Sequence, residues 1–207
     1  MVNLTLAQHV ESILAQPRPL PILTAGHPVL RIPAAPVDGQ LDDEVLADLI
    51  EAMRETMHAA PGVGLAAPQV GVGLQLAVLE DSAQVSAEVA DARNRQPLPF
   101  RVIINPVYEV TSAEPAVFYE GCLSVPGYQA VVARGAAVRL QCRDENGAAV
   151  DEEVAGWAAR IVQHETDHLR GVLYLDRAVM RSLSDNEHYV KYWARPGIEA
   201  ARDMLGF

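Results

Sequence analysis

The sequence predicts a chain in which helices and short strands both occur, in separate regions. Apolar residues recur at helical spacing near the start of the chain and again over residues 156–169. Short segments rich in β-branched residues fill residues 101–154, where Glu145-Asn146-Gly147 is a hairpin turn signal. No internal repeat or linker divides the chain, so we interpret residues 1–207 as one domain.

The first helix is predicted from the spacing of four apolar side chains and ends at Pro17, which forbids its continuation. An irregular stretch follows, and Asp42 or Asp43 then caps a second helix. The methionines on its apolar face are interpreted as core residues. That face comprises Val45, Leu46, Leu49, Ile50, Met53 and Met57.

The middle of the chain alternates loops and strands. Gly62–Gly71 is too rich in Gly, Ala and Pro for a helix or a regular strand, and residues 81–99 are interpreted as a mobile surface insertion. A last helix is expected within residues 182–193, before Pro196. The predicted strands are Leu74–Leu79, Arg101–Ile104, Val107–Thr111, Ala116–Tyr119, Val131–Ala133, Ala137–Arg143 and Ala149–Val154.

Composition and charge restrict the classes of function that are expected for this protein. Half of the residues are apolar and the formal net charge is -11, which argues against a module that binds nucleic acid or an anionic membrane. The two cysteines, Cys122 and Cys142, suggest no disulfide framework. The N-terminal residues do not resemble a secretory signal, and no apolar run has the length of a membrane span, so a reducing cytoplasm is expected.

The strongest chemical signal is Gln163-His164-Glu165-Thr166-Asp167-His168. Histidines four positions apart lie on one helical face and can bind one metal ion together. Glu165 is placed beside that metal, where it can take a proton from water and pass it on. The alternative is a surface helix with two solvated histidines, which the apolar neighbours disfavour.

A catalytic divalent metal usually takes about three protein ligands, so a third is needed. Cys122 is the candidate, because the turn Glu120–Gly127 flanks it with glycine and proline. A small buried apolar residue and a nucleophilic Cys–His pair are alternatives for this cysteine. Cys142 lies in a plain strand and is assigned no role.

The loop Gly62–Gly71 is the third element. Its glycines allow a backbone to approach a ligand closely, and the Gln69 amide can support the oxygen of a reacting carbonyl. It is not a phosphate loop, because no Gly-Lys-Ser or Gly-Lys-Thr follows.

These three elements, in this order, resemble the signature motifs of peptide deformylases, and the resemblance covers about residues 20–180. It implies an α+β fold, with mixed or antiparallel sheets packed around a central helix that bears the HExxH motif. It implies removal of the formyl group from the N-terminal formylmethionine of newly made proteins. The nascent peptide is then the partner, and a contact with the ribosome is left open.

The resemblance also assigns site residues by position. Glu165 becomes the general acid/base, while Gln69 and the backbone N–H of Leu123 bind the developing oxyanion. The implied metal ligands are Cys122, His164 and His168. The implied pocket for the methionine side chain comprises Val63, Phe118, Trp157 and Ile161, and Gly64 is a further implied substrate-binding residue.

Further residues receive structural roles from the same pattern. Asp167 is interpreted as a structural carboxylate, and Arg134 as a partner for it or for Glu120. Tyr174 stands where phenylalanine is common, which is interpreted as a packing change.

One thiolate and two imidazoles suit iron(II), which we expect, and also zinc, nickel or cobalt. Two other functions share some of the motifs. A zinc endopeptidase shares the helix motif but usually takes its third ligand downstream of the helix. A non-catalytic metal-binding protein has no need of Glu165 or Gln69.

Overall fold

The computed structural model describes residues 5–207. A 3-10 turn covers Pro28–Arg31, and a short helix over Asn186–His188 continues as π-helical turns over Tyr189–Trp193. The helices are α1 (Leu6–Leu14), α2 (Asp43–Ala59), α3 (Ala87–Arg93), α4 (Gly156–Leu169), α5 (Asn186–His188) and α6 (Glu199–Leu205). Within the described range, no helix is both long and apolar enough to cross a membrane.

The strands form two antiparallel sheets, of order β1-β2-β3-β6-β7 and β4-β5-β8. They are β1 (Gly64–Ala66), β2 (Leu76–Asp81), β3 (Leu98–Val110), β4 (Pro115–Cys122), β5 (Val125–Gly135), β6 (Ala137–Arg143), β7 (Ala149–Ala155) and β8 (Val179–Asp185). The prediction of an α+β fold with antiparallel sheets is confirmed.

Two predicted strands are one strand in the structure. Arg101–Ile104 and Val107–Thr111 fall almost entirely within β3, whose register with β6 shifts between Ile104 and Val107. Asn105 lies between them with φ of 50°, a left-handed conformation typical of a bulge. The irregular backbone explains why the sequence pattern breaks there.

The helix predicted within residues 182–193 is confirmed, since Asn186–His188 and the π-helical turns Tyr189–Trp193 lie there, directly after strand β8. One other prediction is wrong in detail, because pairing with a neighbouring strand overrides local preference. In the loop Gly62–Gly71, the segment Gly64–Ala66 pairs with β2 as strand β1, and a 3-10 turn follows it.

Helix α4 packs against strands of both sheets. Its apolar side joins a core cluster with side chains of β2, β3 and β6, including Leu79, Ile103 and Leu140. It also contacts β5 of the second sheet. Most of its residues from Ala159 to Leu169 are buried, polar ones included, so its polar groups must find partners inside the protein.

Residues 81–99 lie largely at the surface, as predicted, but the segment is anchored. Helix α3 ends at Asn94, whose carbonyl accepts a hydrogen bond of 3.1 Å from the N–H of Trp157. That N–H belongs to the first turn of α4, which lacks helical acceptors. Asp81, which is buried, receives two hydrogen bonds of 2.8 and 2.9 Å from the Arg95 guanidinium.

The contact between α3 and α4 requires glycine at position 156. Gly156 has φ of 65°, and a Cβ there would lie 2.1 Å from the carbonyl oxygen of Asn94. The backbone of the insertion therefore approaches the start of α4 as closely as a missing side chain allows.

We expect Gly156→Ala to destabilise the protein more than Gly147→Ala does. Both positions have positive φ, 65° and 77°, but a Cβ on Gly147 would have no atom of residues 5–207 within 4 Å. Left-handed strain costs roughly 1–2 kcal/mol in both variants, and only Gly156→Ala adds a backbone clash. Urea denaturation measures both losses of unfolding free energy, and equal losses would contradict the docking of α3.

Candidate active site

Helix α4 and the end of strand β4 bring three metal-binding side chains together. The Sγ atom of Cys122 lies 3.2 Å from Nε2 of His168, and the rings of His164 and His168 have centroids 5.1 Å apart. One donor atom from each of the three residues lies within 4.8 Å of the other two. A thiolate and two imidazoles at this spacing fit a single divalent ion.

Glu120 fixes the orientation of His164. Its Oε2 lies 3.0 Å from Nδ1 of the imidazole, which leaves Nε2 to face the cluster. Such a carboxylate behind a metal-binding histidine sets the tautomer and the ring orientation. The ring of Tyr174 stacks on His164 with centroids 6.2 Å apart, while its hydroxyl donates to the carbonyl of Tyr128 at 3.1 Å.

A buried ionic network holds Glu120 in turn. Arg134 donates to both of its carboxylate oxygens, at 2.6 and 3.0 Å, and to Asp167 at 2.8 Å. The structure therefore gives Arg134 both of the partners considered for it. Arg177 adds two hydrogen bonds to Asp167, of 2.7 and 2.8 Å. Burial disfavours the charged form of Glu120, but His164 and Arg134 hold the pKa of its carboxyl well below its usual range.

Glu165 points into the same region but has a different environment. It is buried, and its Oε2 has no hydrogen-bond partner among the described residues. Burial raises the pKa of the carboxyl to about 7. A carboxyl that exchanges a proton near neutral pH, with one oxygen free to meet a reactant, suits general acid–base chemistry.

Strand β1 leaves room for this carboxyl only because position 64 is glycine. A Cβ on Gly64 would lie 2.3 Å from Oε1 of Glu165 and 2.7 Å from its Cδ. The backbone of the loop Gly62–Gly71 therefore lies directly against the side chain, as the glycine content of the loop predicts.

Gln69 is fixed at both ends of its amide. Its Oε1 accepts a hydrogen bond of 2.8 Å from the N–H of Ala66. Its Nε2 donates to Oγ of Ser124 at 3.1 Å and lies 3.8 Å from Sγ of Cys122. The amide N–H groups therefore face the metal-binding cluster, where an oxyanion would form.

A cleft of about 510 Å³ opens onto these groups. Two predicted residues are not on its wall: His168 lies buried behind it, and Phe118 packs edge-on against Trp157, with ring centroids 6.0 Å apart. The predicted residues on the wall are Val63, Gly64, Gln69, Cys122, Leu123, Trp157, Ile161, His164 and Glu165.

Sequence reasoning missed three arginines that line this cleft, Arg93, Arg95 and Arg160. Arg93 and Arg95 belong to the insertion, whose composition carries no signal of a site. Arg160 lies one turn before His164 and is buried, donating to Glu120 and to the carbonyls of Val132 and Ala116, the last two at 3.1 and 2.6 Å. Its position on the face of α4 that bears His164 was the one available clue.

Comparison with known proteins decides the family. Residues 19–184 match the family described as polypeptide deformylase. The chain belongs to the peptide deformylase family. It is 62% identical over 202 residues to peptide deformylase 3 of Streptomyces avermitilis, and the aligned region covers 98% of this chain and 90% of that protein.

Solved deformylases share the fold. A Synechococcus elongatus peptide deformylase in complex with actinonin superposes with a TM-score of 0.67 and 37% identity, over 93% of this chain and 88% of that one. A class I type b peptide deformylase from Acinetobacter baumannii with Met-Ala-Ser bound gives a TM-score of 0.68 and 34% identity, over 76% of this chain and 97% of that one.

Membership in the family defines the reaction. The protein is a metal-dependent hydrolase of protein biosynthesis that removes the formyl group from N-formylmethionyl nascent peptides, and its Cys/His/His cluster fits the metal site. The endopeptidase and the non-catalytic alternatives are not supported.

We expect Gly64→Ala to lower kcat/KM for a formyl-Met peptide about a hundredfold, because the new methyl group displaces the Glu165 carboxyl and small misplacements of a reacting group are costly. Gly73→Ala is the matched control, since a Cβ there would meet no atom of the described part of the chain within 4 Å. Both variants should retain metal. Wild-type kcat/KM in Gly64→Ala would contradict the close approach.

Proposed function

We propose that Cys122, His164 and His168 bind one divalent ion, iron(II) in the native enzyme, with zinc, nickel or cobalt able to replace it. The observation that carries the proposal is the clustering of their donor atoms within 4.8 Å beside the unpartnered oxygen of Glu165. When bound, such an ion activates water and polarises the carbonyl of the substrate.

Glu165 is the general acid/base of this proposal. It accepts a proton from the attacking water and delivers it to the amine that leaves as the formyl C–N bond breaks. A pKa near 7 suits both directions of transfer at neutral pH. Gln69 and the backbone N–H of Leu123 stabilise the negative charge that grows on the formyl oxygen. The fixed amide of Gln69 supports this role, because preorganised donors need no reorganisation during reaction.

The substrate lies in the cleft, with the methionine side chain against Val63, Gly64, Trp157 and Ile161. Phe118 contributes indirectly, because its ring packs edge-on against the ring of Trp157. Helix α4 is the central element of this arrangement, since it carries both histidines, the acid/base and part of the pocket. Residues 1–207 form one catalytic domain, and the enzyme works in the cytoplasm on nascent peptides.

The formyl group is selected by lack of space. Its carbon carries only hydrogen on the side away from the amide, whereas an acetyl group carries a methyl there. The loop backbone at Gly62 and the side chain of Leu123 lie close together, since a Cβ on Gly62 would be 2.8 Å from Cδ1 of Leu123. We therefore expect the enzyme to release formate from a formyl-Met peptide and to leave the matching acetyl-Met peptide intact.

Glu165→Gln should retain the metal and lose nearly all turnover. The amide cannot carry the proton, and loss of general acid–base help costs about 10²–10⁴-fold in rate. Formate release from formyl-Met-Ala-Ser amide gives kcat, and metal analysis of the same sample gives occupancy. Turnover equal to wild type at every pH would refute the assigned role, and full loss of metal would make Glu165 a ligand instead.

Cys122→Ala should purify with little metal, whereas Cys142→Ala should retain the wild-type content and activity. The two thiols differ in setting: Cys122 lies beside His168, while Cys142 is buried in β6, where burial raises the pKa of its thiol to about 11 and keeps it protonated. The measurement is metal per protein after anaerobic purification. Equal content in the two variants would remove Cys122 from the ligand set.

A further inference from the structure

The charges that line the cleft are opposite to those of the chain as a whole. The formal net charge is -11, yet the wall carries three guanidinium groups against two carboxylates, Glu120 and Glu165. A cleft of one sign attracts groups of the other sign, even on a protein whose remaining surface repels them. The arginine that supplies the unbalanced positive charge is therefore expected to influence which peptides bind well.

Two of the three arginines are neutralised by neighbours. Arg95 forms a two-bond pair with Asp81, and Arg160 donates to Glu120. Arg93 differs, because within residues 5–207 it forms no ion pair. It is the cleft arginine whose charge is not matched by a carboxylate.

Arg93 is nevertheless held in place. Its Nε and one terminal nitrogen donate to the carbonyls of Pro196 and Arg195, at 3.3 and 3.1 Å. Its Cζ lies 5.1 Å from the ring centroid of Trp157 and 5.6 Å from that of Phe118. These contacts use two nitrogens and fix the plane of the group, so its other terminal nitrogen is available to an acceptor.

The position of Arg93 indicates which part of a peptide it meets. It lies against Trp157, in the first turn of α4, whereas His164 comes seven positions later, about 10 Å along the helix. An extended peptide covers that distance in about three residues. A peptide whose formyl group lies at the metal cluster can therefore bring its third residue near Arg93.

We infer that Arg93 is a specificity-determining residue, which favours formyl peptides with an acidic side chain at the second or third residue. This inference rests on the proposed placement of the formyl group beside Glu165. A partly exposed ion pair contributes modestly, so we expect a preference of about two- to fivefold in kcat/KM. The preference should weaken as salt is added, because the salt screens the pair.

The test compares isosteric peptides that differ only in charge. Formyl-Met peptides with Asp or Asn at position two, three or four are assayed as C-terminal amides, since a free carboxylate at position three would itself satisfy Arg93. Wild-type enzyme should prefer Asp at position two or three by about two- to fivefold. The free-acid tripeptide should be preferred over its amide for the same reason.

Arg93→Gln should bring the Asp/Asn ratio close to one, while Arg93→Lys should keep part of it. The matched control is Arg139→Gln, which removes a charge on β6 from an exposed ion pair with Asp151 of β7, away from the cleft. That variant should keep the wild-type ratio. A loss of folded protein lowers the rates of both peptides together, so the ratio reports charge recognition alone.

A wild-type ratio near one at every position would overturn the inference, as would an unchanged ratio in Arg93→Gln. The wild-type ratio and its salt dependence decide the matter even if the variants fold poorly. Failure of the proposed function gives a different result, since the Asn peptides would then lose no formate at all.

Discussion

A buried group of charges, Glu120, Arg134 and Asp167, lies behind the metal-binding cluster, and the geometry of the site depends on it. All three side chains are at most 5% exposed, and they come from β4, β5 and α4. Buried charges are tolerated only when each is paired, and loss of one partner leaves the others uncompensated. The network therefore fixes β4, β5 and α4 relative to one another. Because Cys122 lies on β4 and the histidines on α4, the network also fixes the distances between these three side chains.

The network acts on chemistry through His164. Because Glu120 accepts from Nδ1, the other ring nitrogen is directed at Cys122 and His168. Glu165 occupies the next position on the helix, but among residues 5–207 it forms no ion pair and keeps an oxygen without a hydrogen bond. Two carboxylates of one site thus have opposite tasks: the paired one stays charged and orients, and the unpaired one has a raised pKa suited to moving protons.

The insertion between β2 and β3 changes the far end of the cleft. Its helix α3 is anchored by the carbonyl of Asn94 at the start of α4, and Arg93 connects it to the C-terminal segment at Arg195. Segments that the sequence separates widely thereby meet around Trp157. The insertion therefore contributes a guanidinium, lying on an aromatic surface, to the wall of the cleft.

The sequence by itself determined the chemistry and much of the secondary structure. The spacing of His164 and His168 requires a helical face, and the setting of Cys122 differs visibly from that of Cys142. These inferences rest on local geometry, which spacing along the chain fixes. The family motifs added Gln69 and the pocket residues, and the cleft wall includes most of that pocket but not Phe118.

Only the tertiary structure decided the features that depend on contacts between segments far apart in the sequence. Strand β1 forms because β2 lies beside it, and β8, which the sequence pattern did not predict, forms because β5 offers hydrogen bonds. Arg93 reaches the cleft through such packing, and nothing in its neighbouring residues indicates it, whereas Arg160 is indicated only by its spacing from His164 on α4. Three-dimensional neighbours determine which charges pair, which side chains are buried and where two backbones approach closely. Local sequence patterns do not identify these neighbours, because they are far apart along the chain.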